Sequence, residues 1–189
     1  MNKTVNRCSW VGKEPVYEKY HDTEWGVPVY DSELLFQHLL LDGAQAGLSW
    51  ITILKKRENY RELFYQFDPE KMAKMSDKTL ERILLNPAII RNRLKVYGFR
   101  KNALAYLAIN KNQSFSNFLW DFVDGIPVVN HWNAHSEIPT NNDVSLAMSK
   151  ALKKAGFTFV GTTICYAFME AVGMINNHTT GCFRYNEIE

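Results

Sequence analysis

A succession of helix-start signals, with few strand signals between them, most constrains how this chain can fold. Asp68-Pro69-Glu70 joins a capping aspartate, a proline at the first helical position and an acid in the first turn. Ser76-Asp77 opens another helix with Leu80, Ile83 and Leu84 along one side. Asn86-Pro87 stops it, because proline disfavours helical geometry in the residue before it. Upstream, Asp31 or Ser32 can cap a helix carrying Leu35, Leu39 and Leu40, with Glu33 well placed in its first turn. Gly43 and Gly47 then loosen the chain before Ser49, an N-cap candidate for the segment through Trp50, Ile53 and Leu54. Ile90, Leu94, Tyr97, Lys101 and Leu104 recur at helical spacing, with Gly98 as a kink or midpoint. Ser114 or Ser116 precedes Phe118, Leu119, Phe122 and Val123, and Gly125-Ile126-Pro127 closes that helix. Asp143 caps a helix with Ala147, Met148, Ala151 and Leu152, lysines in its last turns and Gly156 beyond. Thr162 or Thr163 caps a final apolar helix through Ile164, Phe168, Met169 and Val172, ended by Gly173. Residues 128–140 read as a loop, and 157–160 is the best strand candidate. The pattern predicts an all-α fold.

With 189 residues, 46% hydrophobic and 22% charged, the chain fits a single domain over 1–189 that buries a sizeable core. The stretch from Met1 to Trp10 has no signal-peptide character, and no run of about 18 apolar residues could span a bilayer. Three cysteines without close pairs do not form a disulfide framework, so a soluble cytosolic protein is expected, with a monomer as the default. A net charge of +2 does not establish a polyanionic partner. Two basic clusters, Lys55-Lys56-Arg57 and Arg91, Arg93, Lys95, Arg100, Lys101, suit a solvated helix face or a phosphate-facing one.

Cys8 and His21 lie near one end of the chain, His178 and Cys182 near the other. Two thiolates and two imidazoles suit a closed, structural zinc site. Nothing local brings the pairs together, however, and a lone cysteine is more often a small buried hydrophobe. Spacing leaves both readings open, and Cys165, within an apolar helix, reads as a core thiol. The motifs of zinc deaminases and of His-Glu-x-x-His metalloproteases are missing, which disfavours catalytic zinc.

The run from Tyr20 to Gly26 sets two large aromatics beside a potential ligand. Further on, small residues at 43, 44, 46 and 47 flank Asp42 and lead to Trp50. Aromatic faces with one carboxylate suit a pocket that stacks a heteroaromatic base and hydrogen-bonds its edge. A packed core accounts for the same residues equally well.

Several motifs, taken together and in order, resemble the DNA-3-methyladenine glycosylase I family. They are Arg7-Cys8-Ser9-Trp10, Tyr20-His21-Asp22-Thr23-Glu24-Trp25-Gly26-Val27-Pro28 and Ala46-Gly47-Leu48-Ser49-Trp50-Ile51-Thr52. Lys55-Lys56-Arg57-Glu58-Asn59-Tyr60, Ile89-Ile90-Arg91-Asn92-Arg93 and Phe159-Val160-Gly161-Thr162-Thr163-Ile164-Cys165-Tyr166 extend the likeness over almost the whole chain. The resemblance implies a helix-hairpin-helix DNA-glycosylase fold, with one structural zinc held by Cys8, His21, His178 and Cys182. That ion would join the terminal segments, about 1–30 and 174–189. It further implies a base pocket of Tyr20, Trp25, Asp42 and Trp50, and a hairpin near 86–91 whose Ala88 and Ile89 amides hold a DNA phosphate, with Arg91 or Lys95 assisting.

The activity implied is hydrolysis of the N-glycosidic bond of 3-methyladenine in alkylated double-stranded DNA, leaving an abasic site. Methylation at N3 places positive charge on the base, so extrusion, recognition and positioning are the enzyme's main tasks. Trp50 is expected to stack on the flipped base, Tyr20 and Asp42 to read its edge, and Trp25 to form a wall. An ionised Asp42 would favour a cationic base, and Leu48 is a candidate wedge for the gap in the duplex. No lysine stands out as a Schiff-base nucleophile, so strand cleavage is not expected. Two positions depart from the family pattern. Asp42 stands where glutamate is usual, shortening its reach, and Ala88 stands where glycine is frequent, which predicts a strained hairpin if its backbone is left-handed. A different class, a non-catalytic binder of damaged DNA with the same fold, is the alternative.

Overall fold

The computed structural model describes residues 5–188; the first four residues of the Met1–Trp10 stretch and Glu189 lie outside it. Among the described residues ten α-helices dominate: α1 (Pro15–Thr23), α2 (Ser32–Gln45), α3 (Trp50–Leu54), α4 (Arg57–Leu63), α5 (Pro69–Ala73), α6 (Asp77–Leu84), α7 (Arg93–Asn110), α8 (Phe115–Trp120), α9 (Asp143–Lys154) and α10 (Thr162–Ala171). Many of the sequence signals act as expected. Asp31, Asp68, Ser76 and Ser114 each accept a hydrogen bond from a backbone N–H in the first turn of the helix they cap. The cap of α9 is Asn142 rather than Asp143, and that of α10 is Gly161, with no side-chain cap bond, rather than Thr162 or Thr163.

Helix α7 starts after Asn92 and packs against α5, α6 and α2. Its buried face is not the predicted stripe: Leu94 and Leu104 are 73% and 54% exposed, while Val96, Gly98, Phe99, Asn102 and Ala103 face inward. Gly98 and Asn102 belong to that face because the 157–160 segment lies against the helix, with Asn102 bonding Thr158. A Cβ on Gly98 would come within 2.9 Å of Thr158 Oγ1, and one on Gly43 of α2 within 3.2 Å of the Phe159 carbonyl oxygen. Gly98 therefore marks a close approach between segments. The same 157–160 segment is not a strand, and Phe159 takes a φ of +58° as it wedges between α2 and α7.

The strands among the described residues are two-residue pieces, β1 (Val128–Val129) and β2 (Ile175–Asn176), paired in parallel. Residues 128–140 thus begin as a strand that the sequence reading took for loop. Chain reversal after α10 needs Gly173, at φ +70°, where a Cβ would meet Pro28 N at 2.4 Å and Val27 C at 2.5 Å. Val29 N–H donates to the Val172 carbonyl beside it. The segment after α1 is in this way clamped to the end of α10, and α2 and α10 pack side by side behind it.

Candidate base pocket and metal centre

The cavity that best fits a small ligand has a volume of about 240 Å³ and lies between α1, α2, α3 and α10. Its lining brings together all four residues expected there: Tyr20, Trp25, Asp42 and Trp50. Tyr20 and Trp50 have ring centroids 5.4 Å apart, and Trp10 packs edge-on to Trp25 at 5.0 Å. Two polar atoms on this lining are sealed from solvent yet lack a protein partner: Asp42 Oδ2 and Trp50 Nε1. Buried polar groups are rarely left unsatisfied, so such a pair in a cavity wall marks a place for a polar ligand.

Asp42 occupies the last turn of α2 and is 2% exposed. Burial, and next the nearby Glu170 carboxylate, hold its carboxyl well above the ordinary carboxylate range. Asp42 therefore holds its proton to higher pH than an exposed aspartate, and a cation in the pocket would oppose that rise. Tyr20 is likewise pushed up, by burial and then by Asp42, so its phenol remains a donor.

Glu170 was missed by sequence reasoning, as were Trp10, Tyr17, Gln45 and His135, which also line the cavity. Glu170 is the lone acid in an otherwise apolar α10, and that isolation was the available signal. Burial pushes its carboxyl up to about 7, although the Asn177 amide favours the ionised form. Asn177 Nδ2 donates to Glu170 Oε1 at 2.7 Å and to the Tyr166 hydroxyl at 3.0 Å. The Asn177 carbonyl oxygen in turn accepts from Asn130 Nδ2 and Trp132 Nε1.

Behind the Trp25 wall, Cys8, His21, His178 and Cys182 are all buried, with ligand atoms within 4.8 Å of one another. The termini that spacing left unconnected do meet. Cys182 Sγ lies 3.4 Å from His21 Nε2 and 3.5 Å from His178 Nδ1, and Cys8 Sγ lies 3.6 Å from His178 Nδ1. Hydrogen bonds set the ring orientations. His21 Nδ1 donates to Asp22 Oδ1 at 2.8 Å, and His178 Nε2 donates to the Trp25 carbonyl at 3.2 Å, so each ring turns its other nitrogen to the thiols. Arg7 grips Asp22 with contacts of 2.7–3.0 Å. Cys8 and the two imidazoles lower the Cys182 thiol, while sharing a hydrogen bond with Cys182 and being buried raise that of Cys8. This group could hold a metal ion.

The residues expected to touch DNA divide. Leu48 is 39% exposed at a turn tip between Gly47 (φ +78°) and Ser49, so it is not core. Arg91 is exposed, between α6 and α7. Ile89 is 3% exposed and can offer only its backbone. Ala88 is not among the residues with positive φ; its N–H donates to Asn86 Oδ1 at 2.9 Å, an asparagine turn that needs no glycine. The expected strain at Ala88 is absent for that reason. Lys95 is turned inward, 6% exposed, and its ammonium donates to the Ala44 and Ala46 carbonyls at 2.7 Å. The carbonyls ending α2 have no intrahelical partners, and a cation there also meets the negative end of the helix dipole. The basic clusters are likewise partly internal: Lys56 donates to the Pro87 and Ala88 carbonyls, Arg57 pairs with Glu24, and Arg100 with Asp77.

This geometry has close counterparts. The family model described as methyladenine glycosylase matches residues 10–185. DNA-3-methyladenine glycosylase 1 of Escherichia coli (strain K12) is 53% identical over 182 residues, covering 96% of this chain and 97% of the relative. A crystal structure of 3-methyladenine DNA glycosylase I superposes with a TM-score of 0.93 at 54% identity, covering 94% of this chain and 98% of the other. A variant of 3-methyladenine DNA glycosylase I, crystallised with 3-methyladenine, gives a TM-score of 0.91 at 41% identity over 95% of this chain and 97% of that one. A family model matched over residues 10–185 and a relative 53% identical over 96% of the chain leave one conclusion: the chain belongs to the methyladenine glycosylase family.

Proposed function

We propose that this protein is a DNA glycosylase that extrudes 3-methyladenine from alkylated duplex DNA and hydrolyses its N-glycosidic bond. The observation that carries the reading is the aromatic cavity with two sealed, unpartnered polar atoms, Asp42 Oδ2 and Trp50 Nε1, on its wall. In this reading Trp50 stacks on the base, Trp25 and Trp10 close the side, and the Tyr20 hydroxyl and Asp42 carboxyl read the edge. A base that carries positive charge is matched by acidic groups that an uncharged purine leaves costly to ionise. The departing methylated adenine is neutral, so positioning and charge complementarity supply most of the catalysis. Leu48 enters the space left in the duplex, and no lysine ammonium lines the cavity to form a Schiff base.

Helices α6 and α7 and the 85–92 segment between them act as the DNA-gripping helix-hairpin-helix, with backbone amides and Arg91 toward a phosphate. Lys56 and the Asn59 amide support the hairpin from beneath through the Ala88 carbonyl. The chain works as one domain around a single zinc ion. Tetrahedral zinc, with sulfur at about 2.3 Å and nitrogen at about 2.0 Å, sets S and N roughly 3.5 Å apart, matching the separations among Cys8, His21, His178 and Cys182. Four protein ligands make the ion structural.

Incubating methylated duplex DNA with the protein and measuring free 3-methyladenine is the direct test. Release with intact abasic strands is expected. A non-catalytic damage binder would retain the DNA and release no base.

A further inference from the structure

We propose that Glu170 is a second base-reading carboxylate, set on the α10 side of the cavity opposite Asp42 on α2, and that the two together select a positively charged alkylated purine. The inference rests on the glycosylase reading and extends it to a residue outside the expected pocket.

Asp42 is a short side chain at the end of α2, and its buried Oδ2 has no partner. The same cavity is lined from α10 by an acid one methylene longer, so total acidic reach into the pocket does not depend on Asp42 alone. Glu170 is also held in place. Asn177 has both amide hydrogens committed, to Glu170 Oε1 and Tyr166, and its carbonyl committed to Asn130 and Trp132. That arrangement fixes which end of Asn177 faces the glutamate and leaves Glu170 Oε2 without a side-chain hydrogen bond among the described residues. A carboxylate with one oxygen pinned and the other directed by that pin is preorganised for a ligand. Glu170 lies near enough to Asp42 to raise its cost of ionisation, a cost that a cation in the same cavity offsets and a neutral base does not. Trp50 Nε1, the other unpartnered buried atom, is a donor, so the wall offers the base both kinds of hydrogen-bonding group.

The test compares the unaltered protein with Glu170→Gln, which keeps the oxygen facing Asn177 and removes the charge. Two readouts are needed: single-turnover release of 3-methyladenine from methylated duplex, and binding of a duplex carrying 3-deaza-3-methyladenine, which has nearly the same shape but no charge. Glu170→Gln is expected to slow release by about tenfold or more, the scale of one lost charge-assisted hydrogen bond. Its binding of the neutral duplex should stay within about twofold. Equal losses in both readouts would show a structural role and overturn the proposal. A second variant, Glu170→Asp, retains charge with shorter reach and should keep more of the release rate than Glu170→Gln; the reverse order also overturns it. No release by the unaltered protein would overturn the glycosylase reading and this inference with it. Release that Glu170→Gln leaves unchanged overturns the inference alone.

Discussion

An acid buried without a partner sets binding against stability at the scale of single residues. Burial raises both Asp42 and Glu170, so the folded chain keeps their protons to higher pH than the unfolded chain does. Their contribution to stability is complete below the ordinary carboxylate range and is lost as pH rises, for Glu170 between 4.5 and about 7. Asp42→Asn should therefore stabilise the ligand-free protein at pH 8, by about 1 kcal/mol or more, and hardly at all near pH 4. Thermal melts across that range check it; a stability difference independent of pH would contradict it. The same variant is expected to bind 3-methyladenine more weakly. That Asp42 belongs to a pocket followed from the family resemblance, because its small neighbours and Trp50 alone suited a packed core equally well. The rise of its carboxyl was not legible, because it comes first from burial and then from an acid 128 positions away, both set by tertiary structure.

Helices were most readable where capping is local. Asp31, Asp68, Ser76 and Ser114 each satisfy an N–H three residues on, and that chemistry is present in the sequence itself. Which face of a helix is buried was less readable. In α7 the apolar spacing selected Leu94 and Leu104, which face solvent, because the true contact surface is built from Gly98, Asn102 and Ala103 to admit the 157–160 segment. Lys95 shows the same limit: its charge suggested DNA, whereas its ammonium completes the end of α2. The two cations between α6 and the first turns of α7 should separate cleanly by experiment. Lys95→Met is expected to cost about 1–3 kcal/mol of stability while leaving the salt dependence of DNA binding unchanged. Arg91→Ala should leave the melting temperature unchanged and reduce the slope of log K against log salt by about 1. Interchanged outcomes would reverse the two roles.

Across the whole molecule, the cavity and the Cys/His cluster share a wall. Trp25 lines the cavity, its carbonyl accepts from His178, and its indole stacks on His21 at 6.1 Å. If the Cys/His cluster holds the proposed zinc, its removal should lower base affinity along with stability, because Trp25 belongs to both walls. Chelator titration followed by both 3-methyladenine binding and thermal melting tests this. Cys8→Ser with Cys182→Ser should abolish bound zinc, measured as metal per chain; a normal content in the double variant would refute the ligand set. No sequence periodicity could have joined Cys8 to His178, since the contact spans 170 positions and is made by the fold.

The backbone contact at Gly173 bears on synthesis as well as on shape. Tyr20, Trp25, Asp42 and Trp50 leave the ribosome early, yet the clamp on residues 27 and 28, the Glu170 wall and half of the Cys/His set come from the last part of the described chain. A nascent polypeptide can form α2 to α7 and their shared core while these four cavity residues still lack an enclosure. The cavity and the Cys/His cluster are thus complete only once the segment that carries Glu170, His178 and Cys182 has docked against the earlier helices.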